Sequence, residues 1–324
     1  MLFRRLAAAA ALLAIATPLA AQEQARPMVV PVSAPTDAQR LVAAVAAFGG
    51  QTNEVRARIA LAQLEQAGFE PAYETFVGGN RQTGEMEGRN VVVTLGDGPR
   101  EILLTAHYDA VMLRDGTMSQ GVVDNAASVV GVIEAAKILR SKNLNHRVRI
   151  ILFDQEELGL IGARKWIEAH GLANVAAVVN SDVAGYGDTL MHGLNNGSQS
   201  AGVTRAVREV CAERAMNCVG FPVYPPSDDR AFSGAGLGEA APAGSADRVP
   251  TVSLGFQDHV GAHQMWLAFN GGETNGLAEG FVPRVFQLIH SADDTMEQID
   301  PATVKTAGEV YAALVERLDA QLAD

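Results

Sequence analysis

The sequence predicts an α/β fold built on a mixed, largely parallel central sheet with helices on both faces. Two observations predict it. Short apolar runs alternate with stretches whose apolar residues recur at three and four, the pattern of buried strands alternating with helices. Acids and imidazoles follow directly after several of those runs, where open α/β sheets bind ligands. No internal repeat and no second boundary stands in the 324 residues, so residues 37–324 are read as one domain.

The elements follow in order. From Thr36 to Gly68, Leu41, Val45, Ile59 and Leu64 keep helical spacing, which gives two helices broken at Gly49-Gly50 and ended at Gly68. Strands are predicted over Asn90–Leu95, Ile102–Ala106, Val148–Phe153, Ala176–Asn180 and Thr251–Gly255. Helices are predicted over Ala126–Leu139, Leu160–Ala169 and Ala201–Arg214, and from Pro301 to the C-terminus. In the first of these Val129, Ile133, Ala136 and Leu139 share a face; in the last, Val310, Leu314, Leu318 and Leu322 do. Residues 225–250 and 257–282 fit neither pattern and are expected to be long functional loops or lids.

Hydrophobic residues make up 48% and charged residues 19%, a globular composition. The formal net charge of −12 argues against nucleic acid as a partner, because phosphate binding needs a clustered positive field. An acidic balance keeps a protein soluble, and part of the surplus is available as metal ligands. Residues 1–21 read as a secretory signal peptide: Arg4-Arg5, an apolar run to Ala16, then small residues to Ala21. An uncleaved anchor is the alternative. Residues 22–36 read as a flexible lead-in. No second long apolar run exists, so the mature protein is expected in the periplasm or secreted, off the membrane. Cys211 and Cys218 fit an oxidising compartment as a disulfide, which is favoured over two buried thiols.

The chemistry lies after the strands. His107-Tyr-Asp109 follows the second predicted strand, Asp154-Gln-Glu156-Glu157 the third, and Ser181-Asp182 the fourth. Gly121-Val-Val-Asp124-Asn125 precedes a helix, and His290-Ser-Ala-Asp-Asp294 precedes the last one. Zinc takes imidazole nitrogen and carboxylate oxygen, and two ions can share one carboxylate. A bridge, two histidines and two further carboxylates make such a pair, and the sequence supplies that set.

These segments, from about residue 90 to the C-terminus, resemble the co-catalytic zinc peptidases that include bacterial leucyl-type aminopeptidases, glutamate carboxypeptidases and glutaminyl cyclases. The resemblance implies a single zinc-exopeptidase-like domain with two Zn2+, Co2+ or Mn2+ being possible substitutes. It makes Asp124 the bridge, His107 and Asp182 the ligands of one ion, and Glu157 and His290 the ligands of the other. Glu156 becomes the general base, and Asp109 orients the His107 ring. Tyr224, three residues before Ser227, becomes a candidate donor to the oxyanion, with packing as the alternative.

The sequence departs from the family at Asp229, where His is common, at Ala127, where Ser is common, and at Ser128-Val129, where Gly is common. None is an implied ligand. An acid at 229 either favours a cationic substrate terminus or pairs with Arg230. His259, His263 and Trp266 either line the mouth of the site or are loop residues away from substrate. Peptides are the implied substrates. An aminopeptidase is the leading reading; a carboxypeptidase or glutaminyl cyclase on the same scaffold is the alternative, followed by a binding protein on a dead peptidase fold. A serine hydrolase is set aside for want of a Gly-x-Ser-x-Gly elbow.

Overall fold

Why the central strands are so apolar is plain from their alternation. In the computed structural model, which describes residues 34–234 and 248–323, each is covered on both faces. The expected signal peptide, the lead-in up to residue 33 and residues 235–247 lie outside the described residues. The chain from Pro35 onward forms one compact unit.

Helices α1 (Asp37–Ala46) and α2 (Asn53–Gln66) start at Thr36 and Thr52, whose side chains accept backbone N–H groups at each N-cap. Then come β1 (Ala72–Asn80), β2 (Gly84–Leu95), β3 (Glu101–His107), α3 (Ala127–Leu139), β4 (Arg147–Phe153), α4 (Ile161–His170) and β5 (Val175–Ser181). The second half adds β6 (Thr189–Gly193), α5 (Ala201–Glu213), β7 (Cys218–Phe221), α6 (Asp229–Ser233) and β8 (Thr251–Gln257). It closes with α7 (His259–Asn270), α8 (Arg284–Leu288) and α9 (Pro301–Gln321).

The eight strands run in the order β1-β2-β4-β3-β5-β8-β6-β7. The central block β4-β3-β5-β8 is parallel throughout; β1-β2, β2-β4 and β6-β8 are antiparallel, and β6-β7 is parallel. Ile102, Leu104, Ala106, Ile150 and Leu152 point into one core with α1, α2, α3, α5 and α9. Leu103, Ile151 and Phe153 point the other way, against Ala163 and Trp166 of α4 and Phe232 of α6. This period of two, apolar on both sides, is the pattern of a doubly covered sheet. On the first face α9 lies close on α3, because a Cβ at Gly308 would stand 2.7 Å from the Glu134 Cβ. That approach brings the Tyr311 hydroxyl 2.6 Å from the Ser181 hydroxyl, at the end of β5.

The structure corrects three expectations. Residues 257–282 are a loop only in their second half: α7 takes His259–Asn270, the chain is irregular from there to α8, and Asp258 caps α7 by accepting the Gly261 N–H at 2.9 Å. Ala262, Met265, Trp266 and Phe269 keep helical spacing there, masked by the flanking glycines. The stretch 225–250 contains the short α6, Asp229–Ser233, and its residues 235–247 lie outside the described residues. Three strands, β1, β6 and β7, extend the sheet beyond those the sequence predicts. β1 is half exposed and β6 carries a histidine and a glycine, so neither reads as an apolar run. Cys211 and Cys218 form a disulfide that ties α5 to β7. No helix among the described residues is long and apolar enough to cross a membrane.

Candidate metal centre

Three neighbouring parallel strands, β4, β3 and β5, end side by side, and their carboxyl ends carry the acids and the imidazole. β3 ends on His107, β4 leads into Asp154-Gln155-Glu156-Glu157, and β5 leads into Asp182. Asp124 arrives on the turn before α3, and His290 on the loop after α8. The donors gather into two groups, His107-Asp124-Asp182 and Asp124-Glu157-His290, and Asp124 belongs to both.

The geometry of Asp124 separates its oxygens. Oδ1 stands 3.1 Å from His107 Nε2, and Oδ2 stands 3.2 Å from His290 Nε2. Asp182 Oδ1 is 3.6 Å from His107 Nε2, and Glu157 Oε2 is 3.0 Å from His290 Nε2. Two donors on one tetrahedral zinc stand about 3.3 Å apart, given bonds of about 2.0–2.1 Å. The four separations bracket that value. Glu157 Oε1 is buried without a hydrogen-bond partner, an atom that a cation would satisfy. The residues therefore fit a pair of zinc ions sharing Asp124. The His107 side chain is 1% exposed and the His290 side chain 51%, so the second group faces solvent.

Backbone groups hold these donors in place. Asp109 Oδ1 accepts the Glu156 N–H and Oδ2 the Glu157 N–H, each at 3.1 Å. Asp109 Oδ1 also lies 3.3 Å from His107 Nδ1, although that pair is not aligned as a hydrogen bond. Asp109 thus touches both groups, beyond the ring-orienting role implied by sequence. Asn125 brackets Asp182: its Nδ2 donates to the Ser181 carbonyl at 3.0 Å and its Oδ1 accepts the Val183 N–H at 3.1 Å. Val183 and His290 sit at φ of 65° and 57°, a strained region for both that costs about 1–3 kcal/mol each. Asp294 accepts the N–H groups of Val122, Val123 and Asp124 at 3.0, 2.7 and 3.2 Å.

The electrostatics follow from packing acids together out of water. Burial pushes the Glu156 carboxyl well above the usual range, and Asp228, Asp182 and Glu157 add repulsion against the pull of His107. Burial and the nearby Asp124 charge push Glu157 to about 7. Burial opposes charge on His107, but Glu156, Asp109, Asp124 and Asp182 overcome it and raise its pKa well above the ordinary value. Hydrogen bonds to Asp124 and Glu157 push His290 up to about 11. Asp124 is buried, yet His107 and His290 hold it well below the carboxylate range. The site is a concentration of negative charge seeking cations.

A cavity of about 270 Å3 opens beside the donors. Its lining includes Asp124, Glu156, Glu157, Asp182 and His290, together with Met191, Met265, Val285, Phe286 and Ile289, which pack in one apolar cluster. Tyr224 lines it too, with its ring edge-on to Phe221 at 5.3 Å. A Cβ at position 255 would lie 2.6 Å from the Tyr224 hydroxyl, so Gly255 makes room for it. Burial pushes the Tyr224 pKa well up and keeps it a donor.

Asp229 neither faces substrate nor pairs with Arg230. It is buried, accepts Asn196 Nδ2 at 2.8 Å and the Ser227 N–H at 3.0 Å, while Arg230 donates to the Asn195 carbonyl. His259 and His263 lie on α7 and stay outside the cavity lining; Trp266 donates its Nε1–H to the Gly220 carbonyl at 3.1 Å. Sequence reasoning missed Asp228, a fully buried carboxyl with no partner on either oxygen, raised well above the usual range by burial. It also missed Arg56, Asn125 and the bracing role of Asp294.

An open α/β sheet with this donor set at its strand ends fits a metal-dependent enzyme, in which bound zinc would activate water or polarise a carbonyl. The chain belongs to peptidase family M28, whose profile matches residues 90–315. It is 34% identical over 70 residues to aminopeptidase YwaD of Bacillus subtilis (strain 168), a match that spans 22% of this chain and 14% of that protein. Its fold is similar to that of a Zn-dependent exopeptidase from Parabacteroides distasonis, with a TM-score of 0.63, 17% identity, and coverage of 86% of this chain and 97% of that one. Porphyromonas gingivalis glutaminyl cyclase is similar at a TM-score of 0.60 and 19% identity, covering 88% and 95%. The LapA aminopeptidase of Legionella pneumophila gives 0.61 and 16%, covering 88% and 72%.

Proposed function

We propose that this chain is an exported aminopeptidase that removes N-terminal residues from peptides at a centre of two zinc ions. One observation carries the choice of terminus. The described lining of the cavity holds four carboxylates and no lysine or arginine. With Asp124, Glu157 and Asp182 committed to the ions, what bears on the choice is that the described lining has no lysine or arginine to hold a C-terminal carboxylate, which favours cleavage at the amino end. The apolar part of the lining, Met191, Met265, Val285, Phe286 and Ile289, suits an uncharged, medium-sized first side chain.

His107, Asp124, Asp182, Glu157 and His290 would hold the ions, which when bound lower the pKa of water and polarise the scissile carbonyl. Glu156 accepts the proton of the attacking water and delivers it to the leaving amine. It lines the cavity beside Glu157 yet belongs to neither donor group, which leaves it free for that task. The Tyr224 hydroxyl donates a hydrogen bond to the developing oxyanion. Export is supported by the basic-apolar-small pattern of residues 1–21 and by the Cys211–Cys218 bond.

The test is mass spectrometry of products from a mixture of free-amino, N-acetylated and Gln-initiated peptides, with and without chelator. Chelator-sensitive loss of the first residue from free-amino peptides alone is the expected result. Loss from the other end would establish a carboxypeptidase, and loss of ammonia from Gln peptides a cyclase; either would overturn the reading.

A further inference from the structure

Arg56, in the first turns of α2, is 0% exposed. A buried guanidinium normally meets a carboxylate, because desolvation alone costs several kcal/mol. This one spends its donors on backbone carbonyls instead. Its Nε–H donates to Tyr108, Nη1 to Phe48 at 3.0 Å and to Gln120 at 3.1 Å, and Nη2 to Gly121 at 3.0 Å. One turn earlier Asn53 accepts the Ala110 N–H at 2.9 Å and donates to the Ala110 carbonyl. The start of α2 thus ties residues 108–110, just past His107, to residues 120–121, just before Asp124.

The far side of the same turn is bound by the opposite charge, since Asp294 collects the N–H groups of residues 122–124. The turn is gripped through its carbonyls by a cation and through its amides by an anion. Gly121 lets it sit that close: its φ is +55°, and a Cβ there would lie 2.8 Å from the Ala110 Cβ and 3.1 Å from Arg56 Nη1. Only a planar fork reaches carbonyls on both loops at once; a lysine ammonium is a single point.

We propose that Arg56 is a positioning residue of the metal centre, which fixes the distance between the His107 loop and the Asp124 turn and so sets zinc affinity. It lies outside residues 90–315, the stretch that defines the family. The field of Asp109, Asp294, Asp124 and Glu157 helps to keep it charged against burial, which lowers its pKa to about 10. The proposal rests on the zinc reading of the site, and the experiment separates the two.

Zinc affinity is measured by competition with a chromophoric chelator on the whole protein, for wild type, Arg56→Lys, Arg56→Met and Gly121→Ala. Thermal unfolding of the chelated forms and the visible spectrum with Co2+ are recorded beside it. The expected result is a loss of tenfold or more in zinc affinity in every folded variant, with a changed Co2+ spectrum, and no rescue by lysine despite its charge. Zinc affinity within threefold of wild type in Arg56→Lys would overturn the proposal, whatever its melting temperature, by reducing Arg56 to a stabiliser of loops. If Arg56→Met does not fold, Gly121→Ala, which pushes the turn off the guanidinium, decides in the same way. A wild type that binds no zinc would overturn the zinc reading and the proposal together.

Discussion

Asp109→Asn is the sharpest probe of how the two metal-binding groups are linked. The carboxylate accepts two N–H groups: Oδ1 takes that of Glu156 and lies 3.3 Å from His107 Nδ1, and Oδ2 takes that of Glu157. An asparagine keeps one acceptor. With its oxygen at the Oδ1 position, on the Glu156 N–H and nearest His107 Nδ1, its NH2 confronts the Glu157 N–H. An orphaned buried N–H costs about 1–3 kcal/mol. Moving the Glu157 turn relieves that cost at the expense of the ligand. Loss of a group that orients a ligand typically weakens metal binding by about 10–100-fold, or about 1.4–2.7 kcal/mol. The two magnitudes agree, so the Glu157-His290 ion is expected to weaken by that factor and the His107 ion by less. Chelator competition gives the two constants, and repeating it in a Glu157→Gln background assigns them. There Asp109→Asn has little left to disturb, so the effects are non-additive. Full additivity, or a larger loss at the His107 ion, would refute the reasoning.

Three further outcomes are expected. Glu156→Gln lowers kcat by about 10^2–10^4-fold with both ions retained, checked by steady-state kinetics and metal analysis on one sample; lost metal would make Glu156 a ligand. Zinc binding releases protons and strengthens as pH rises, because the metal-free protein holds His290 protonated to about 11 and raises His107 as well. The same raised values stabilise the metal-free fold below about pH 6.5, the unfolded histidine value, and that contribution fades as pH climbs through the folded pKa. Calorimetry in buffers of different ionisation enthalpy measures the release, and zero protons would contradict the electrostatics. Replacing Cys211 and Cys218 by serine removes a closure of sequence separation 7, worth about 2–3 kcal/mol, and lowers the melting temperature by several degrees while sparing turnover. Scanning calorimetry with and without reductant checks it; an unchanged wild-type scan in reductant would mean the bond is absent.

His107, Asp124, Glu157 and Asp182 were legible because each follows an apolar strand or comes just before a helix, where imidazoles and acids are conspicuous; His290, on a loop, was legible through its motif with Asp294. The parallel block was legible for the same reason, since strands covered on both faces read as unbroken apolar runs. β1 and β7 were not, because edge strands with half-exposed faces carry no such run. α7 was hidden by its glycines, although Met265 and Trp266 sat in helical register. Arg56, Asn125 and the Asp294 brace were invisible for a deeper reason. Their partners are backbone N–H and C=O groups, which every residue has, so no complementary side chain marks the contact in the sequence. Asp228 stood in plain view beside Asp229, but an acid pair reads as solvated surface until its burial is known.

The brace between Asp294 and the Asp124 turn spans up to 172 residues of chain. Contacts of such range come late in folding, after the entropy of closing the loop has been met. His290 and Asp294 both come after every other donor in the chain. A nascent or truncated chain can therefore carry His107, Asp124, Glu157 and Asp182 and still lack a working centre. The His107-Asp124-Asp182 group can form without that late segment, whereas the Asp124-Glu157-His290 group is complete only once the His290 loop has packed against the rest.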